Sequence, residues 1–332
     1  MLGFIVRRLI AMVLTIWAVS FVSFAIIQLP PGDYLTSYMA ELSAAGDRID
    51  PATIEALRRQ YGLGDPFIIQ YFKWIGGVLH GDFGNSFEWS APVTDLIWGR
   101  LGNSVLVEGL AVLVMWLVAL PIGIYAAVRK YSLGDYLATI GGFIGLAIPN
   151  FLFALVLMYL WYIYFGETLG GLYSPDLQGT PWNLERILDF LAHAWAPVLV
   201  LSTAGTAQLI RVMRANLLDE LTKPYVTTAR SKGLSESRIM YGHVFRNAMI
   251  LVLSGLPGLF VGLLFTGSVL IERIFNLNGL GLLGLESLSN RDYPVLYANI
   301  WIGGLLGLTL HLISDISYTL IDPRISFEAR KV

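Results

Sequence analysis

Tyr225-Val-Thr-Thr-Ala-Arg-Ser-Lys-Gly-Leu-Ser-Glu-Ser-Arg238, running on to His243-Val-Phe-Arg-Asn-Ala248, is the longest polar run between two apolar runs in the C-terminal half of the chain. Its punctuation is that of two short helices. Thr222 is placed to cap the first, and Pro224 falls in its first turn, where a missing N–H is no loss. Gly233 follows Lys232 at the point where a left-handed residue ends a helix. Ser235 then caps a second helix with Glu236 in its first turn. A helix, a glycine elbow and a second helix make a rigid basic knob, and a rigid knob held between apolar runs fits docking on a partner. The plainer reading is a solvated basic loop or a contact with anionic lipid headgroups, although lipid attraction needs neither elbow nor caps.

The flanks of this knob set the class. The 332 residues are 55% hydrophobic and 14% charged, with a mean hydropathy of +0.64, whereas soluble domains carry about 25% charged residues. Several runs approach the ~20 apolar residues that cross a bilayer. The chain is expected to be an all-α polytopic membrane protein. With no cysteine it has no disulfide framework, thiolate metal site or cysteine nucleophile.

Six spans are expected: Leu9–Leu29, Ser104–Val128, Tyr136–Phe165 kinked at Pro149-Asn150, Trp195–Ile210, Ala248–Leu270 and Tyr297–Leu320. Residues 1–29 form a short tail and a retained first span, since no small-residue cleavage site follows it. Residues 30–103 form an extramembrane insertion. In it, a helix after Asp50-Pro51 turns Ile54, Leu57 and Tyr61 to one face, and Phe67–Ile75 is an amphipathic piece for the interface. Residues 104–320 hold the remaining spans with the knob loop at 211–246, and 321–332 form a tail. Placing the two termini, 129–135 and 211–246 on one side collects 14 Lys and Arg in about 63 residues, against 8 in about 127 on the other. Both termini and the knob are therefore expected in the cytosol.

Chemistry-bearing motifs are few. No lysine is followed by Ser or Thr, so there is no Walker A loop. Gly279-Leu-Gly281-Leu-Leu-Gly284 matches a dinucleotide fingerprint only formally, because it lies between spans rather than after a strand; a turn or gate is the plainer reading. Gly141 and Gly145, Gly258 and Gly262, and Gly303 and Gly307 are pairs that let helices approach closely, either within the chain or against a membrane partner. Gly255, Pro257 and Gly258 loosen the fifth span. Glu108 is expected to reach the interface from the outer end of its span. His311 and Asp315 share a helix face, where a paired structural Asp is favoured over a proton relay.

The ordered set of motifs resembles a permease subunit of ATP-binding-cassette importers of the peptide/nickel class. Thr227-Thr228-Ala229 stands where that family has its Glu-Ala-Ala triplet, and Gly233 holds the glycine position. His243-Val-Phe-Arg-Asn-Ala248 replaces the usual ending and is similar to the peptide branch. Tyr61-Gly-Leu-Gly-Asp-Pro66, Gly81-Asp-Phe-Gly84, Ile271-Glu-Arg-Ile-Phe275, Arg291-Asp-Tyr-Pro294 and Leu320-Ile-Asp-Pro-Arg324 extend the likeness over nearly the whole chain.

The resemblance implies a type I importer-like fold of six transmembrane helices with a periplasmic insertion after the first. It implies a non-enzymatic permease in the bacterial inner membrane, with a second homologous permease, two ATP-binding subunits and a periplasmic solute-binding protein. ATP and Mg would be bound by the ATPase subunits and no cofactor or metal by this chain; no nucleic acid is involved. Tyr225, Thr227, Thr228, Ala229, Arg230, Lys232 and Gly233 would form the ATPase-coupling segment, with the face of Tyr225 and Ala229 meeting the ATPase groove. The competing class is a secondary, ion-coupled transporter, which would need midplane coupling groups that this sequence scarcely has.

Overall fold

The computed structural model describes residues 2–29, 34–36, 39, 54–55, 58–59, 64–262 and 269–321. Of the helix expected over 51–61 only residues 54–55 and 58–59 are described, and these are helical; its other residues and the tail beyond 321 lie outside the described residues. Among these residues the regular elements are helices: α1 (Leu2–Gln28), α2 (Phe67–Leu79), α3 (Val93–Val128), α4 (Leu133–Ala147), α5 (Asn150–Phe165), α6 (Leu184–Leu221), α7 (Pro224–Ser231), α8 (Glu236–Ile239), a π-helical turn (Met240–Val244), α9 (Phe245–Gly262), α10 (Val269–Ile274), α11 (Leu280–Ser289) and α12 (Tyr293–Ile321).

Four described helices are long and apolar enough to cross a membrane: α1, α3, α6 and α12. α4 and α5 satisfy the same test only as a pair, bent by 94°. Pro149 follows the α4 C-cap and leaves α5 to restart at Asn150, so the expected kink is a full break. The fifth expected span runs from α9 into residues 263–268, outside the described residues.

Several helices exceed their expected limits. α3 begins at Val93 rather than Ser104, and α6 runs unbroken from Leu184 to Leu221 through Pro197. The polar residues at the ends of α6 were expected as loop. They remain helical because Asn183 caps the start, its Oδ1 accepting from Arg186 N at 2.7 Å, and because Met213 and Leu217 carry the buried face past Arg211 and Arg214.

The chain divides into two compact units. The first comprises residues 1–102 and 279–308. Its core joins Phe24 of α1, Tyr71 of α2, Phe87, and Tyr293 and Tyr297 of α12. Phe24 stacks on Tyr297 with centroids 4.4 Å apart, and Ser20 Oγ and Tyr71 OH lie 2.9 Å apart. Asp292, fully buried, accepts from Ser86 Oγ at 2.5 Å and Glu88 N at 3.2 Å, which pins the 84–92 loop to the start of α12. Gly279–Gly284 is not a turn here: it enters α11, where a Cβ on Gly284 would lie 2.6 Å from Asn299 Nδ2.

The second unit comprises residues 103–278 and 309–332. In it α4 and α5 pack along α6, and α3 approaches α6 so closely that a Cβ on Gly123 would lie 2.9 Å from Met213 Cβ. Arg214 forks onto Asp135, with Nε–Oδ1 at 2.6 Å and Nη2–Oδ2 at 2.8 Å, which ties α6 to the first turn of α4. Glu108 does not reach the interface; it is buried, as is Glu272, whose Oε1 accepts from Ser104 Oγ at 3.4 Å.

Candidate functional site

The knob is built on the C-terminal end of α6. Thr222 caps that end rather than opening the next helix: its Oγ1 donates to Asp219 O at 2.7 Å. Lys223 is extended and takes the N-cap position of α7 without a side-chain cap bond, and Pro224 occupies N1. α7 buries Val226 completely against a cluster that includes Met213, Leu217, Ile239 and Val244. Tyr225 and Ala229 are half-buried and pack against the same cluster. The Tyr225 hydroxyl donates to Glu220 Oε2 at 2.7 Å, and the Lys223 ammonium pairs with the other oxygen of that carboxylate. Burial, then the bond to Glu220, pushes the Tyr225 hydroxyl up to about 12, and Glu220 raises Lys223 above its ordinary value.

The face expected to meet a partner is thus turned inward at Tyr225 and Ala229. A buried Val226 orients the helix, and the exposed side presents Thr227, Thr228, Arg230, Ser231 and Lys232. This set carries Lys232, three hydroxyls and Arg230, the last paired with Glu236, which suits a polar groove.

The elbow is a complete Schellman motif. Gly233, at φ +75°, donates its N–H to Arg230 O at 2.9 Å, and Leu234 N–H reaches Ala229 O at 3.3 Å. Leu234 packs against the buried cluster, the hydrophobic contact that accompanies this motif. Across the elbow Arg230 donates to both oxygens of Glu236, at 2.8 and 3.1 Å. This exposed pair adds little stability, but its two parallel bonds hold α7 and α8 at one angle. Arg230 in turn holds the Glu236 carboxyl below its usual range.

Ser235 occupies the N-cap of α8 without a side-chain cap bond. The chain then widens into the π turn, where Phe245 N–H bonds to Met240 O. Sequence reading missed this segment because nothing in its composition distinguishes a π turn from an α-helix. Its buried residues, Met240 and Val244, belong to the same cluster as Val226.

The other candidate residues are dispersed. A Cβ on Gly145 would lie 3.3 Å from Ala207 Cβ, so this glycine serves the α4–α6 contact. Gly141 and Gly258 have open space beside them, Gly262 is the last residue of α9, and Gly303 and Gly307 are buried on α12. His311 is exposed and Asp315 half-buried on α12. No group of three metal-ligating side chains occurs among the described residues.

Residues 119–327 match the family described as "Binding-protein-dependent transport system inner membrane component", and residues 1–107 match its N-terminal membrane component. The chain belongs to this family. Such a component is not an enzyme: ATP hydrolysis resides in separate subunits, and a substrate-binding subunit supplies the cargo. This permease component is a multi-pass inner-membrane protein.

The chain is 38% identical over 363 residues to the inner membrane ABC transporter permease protein YejB of Escherichia coli O157:H7, covering 99% of this chain and 100% of the relative. It is 36% identical over 368 residues to the peptidoglycan transport system permease protein YejB of Agrobacterium fabrum (99% and 100% covered). It is 37% identical over 328 residues to the oligopeptide transport system permease protein AppB of Bacillus subtilis (98% and 100% covered). An ion-coupled carrier finds no support among these relatives.

Proposed function

We propose that this permease carries peptides or peptide-like solutes inward across the bacterial inner membrane, and that α7 is the element through which ATP hydrolysis drives it. The substrate class is supported by the end-to-end likeness to permeases named for oligopeptide and peptidoglycan transport. The assembly is this chain, a second homologous permease, two ATPase subunits that bind ATP and Mg, and a periplasmic binding protein. Both termini and the knob lie in the cytosol, as the sorted Lys and Arg suggest.

The observation that carries the coupling role is the outward face of Thr227, Thr228, Arg230 and Lys232 on a helix locked at both ends. A seated helix transmits motion only if it cannot swivel on its own bundle. Here the Tyr225–Glu220 bond fixes one end and the Gly233 elbow the other. Closure of the ATPases would then move α7, α8 and the attached α6 and α9 together.

Gly233→Asp tests this. No atom outside the turn lies within 4 Å of a Cβ at Gly233, so the penalty is that of the left-handed backbone, at most about 1–2 kcal/mol, together with a new negative charge close in sequence to Arg230 and Lys232. That is too little to unfold the bundle but enough to shift the elbow. In proteoliposomes with all partners, the variant should assemble and hydrolyse ATP at its basal rate, lose stimulation by loaded binding protein, and lose uptake. Normal uptake would remove the coupling role.

A further inference from the structure

The first unit holds a cavity of about 350 Å³ whose walls include Phe24, Trp74 and Tyr297 and whose charged groups are Asp65, Lys73 and Asp82. Three aromatic rings meet in the wall: Phe24 stacks on Tyr297, and Trp74 stands edge-on to Tyr297 at 5.4 Å. Lys73 Nζ donates to Asp65 Oδ2 at 2.6 Å, so these two charges neutralise each other. Asp82 has no cationic partner among the described residues, and its carboxylate leaves the lining with one net negative charge.

Asp82 is held in place by the backbone around it. Its N–H bonds to Gly77 O at 3.0 Å, and its Oδ1 accepts from Gly84 N at 2.8 Å. Gly77 permits this approach, since a Cβ there would lie 2.7 Å from Asp82 O. Among the described residues Trp74 Nε1, buried in the wall, has no hydrogen-bond partner, and the Tyr297 hydroxyl is served by the Gln28 side chain.

Aromatic faces beside an unneutralised carboxylate select cations: the ring quadrupole and the carboxylate both attract positive charge, and neither favours an anion. We infer that this cavity receives a primary ammonium group, and that the group is the amino terminus of a peptide. The ammonium meets Asp82, and the first side chain lies along the rings of Phe24, Trp74 and Tyr297. The volume lies near the lower end for small-molecule pockets, about 300–1,000 Å³, which suits the first one or two residues rather than a whole oligomer. The peptide as source rests on the proposed function; the preference for an ammonium group rests on the cavity alone.

The test uses the assembled complex in phosphatidylcholine nanodiscs, which carry no competing primary amine, without the binding protein. Isothermal titration compares phenylalanyl-alanine, its N-acetylated form and phenethylamine. Both free amines should bind saturably, and acetylation should weaken binding at least tenfold. Asp82→Asn should do the same while folding normally, because the amide oxygen still accepts from Gly84 N. No saturable binding by either amine, equal binding of the acetylated form, or unchanged binding by Asp82→Asn would overturn the site. Asp82-dependent binding of phenethylamine by an assembly that moves no peptide into proteoliposomes would overturn only the peptide as its source.

Discussion

The Tyr225 hydroxyl donates to Glu220 Oε2 at 2.7 Å, fastening the first turn of α7 to the last turn of α6. One side of this short helix is therefore anchored, and the other is exposed. Tyr225→Phe removes one bond while Lys223 stays on Glu220, a loss of about 1 kcal/mol. It should lower the melting temperature of the complex slightly. Thr227→Ala, on the exposed side, should leave melting unchanged and weaken retention of the ATPase subunits. Both effects are read from one preparation by thermal denaturation and by co-purification.

The fork of Arg214 on Asp135 joins residues from α6 and α4. Asp135 is buried and Arg214 about a quarter exposed, with 27% of its side chain accessible. Removing the acid strands the cation, which costs about 3–5 kcal/mol in a fully buried pair and less here because water reaches Arg214. Asp135→Ala should destabilise the chain more than the double variant Asp135→Ala with Arg214→Ala. A loss in the double variant equal to the sum of the losses of Asp135→Ala and Arg214→Ala alone, measured by thermal denaturation, would mean that the two residues do not act as a pair.

Asp292 sets a pH dependence whose sign can be worked out. Burial pushes its carboxyl above the ordinary value of 3.8, although Ser86 and the Glu88 amide donate to it. A raised carboxyl holds its proton more tightly in the folded state. Its stabilising contribution is fully present below the unfolded value and is lost as pH rises through the folded one. Asp292→Asn keeps an acceptor for both donors and removes the titration. Wild-type stability relative to this variant should fall as pH rises above 3.8. A rise instead would show that the hydrogen bonds outweigh burial.

The parts of this fold legible in the sequence are those governed by local rules. Pro224 at N1 and Gly233 at φ +75° follow from backbone sterics alone, and both stand where the sequence placed them. The failures arise where packing overrides a local signal. Residues from Arg211 onward were expected as loop, yet Met213 and Leu217 keep the same helix buried to its last turn. The partner of Arg214 lies 79 residues away, beyond any pattern of spacing. The inward turn of Tyr225 and Ala229 depends on Val226, whose burial is set by Met213, Leu217, Ile239 and Val244, from three other elements. The glycines at 279–284 suggested a turn, but there the lack of side chains serves close packing of α11.

The central claim is that the exposed side of α7 seats on an ATPase subunit. The chain has no cysteine, so Thr228→Cys introduces a single attachment point for a photoreactive probe on that side. Ser289→Cys on α11, also exposed, is the control. After illumination of the assembled complex in proteoliposomes, the account predicts an adduct between this chain and an ATPase subunit from Thr228→Cys and none from Ser289→Cys. Absence of the ATPase adduct at Thr228→Cys, or equal labelling from both positions, would contradict it.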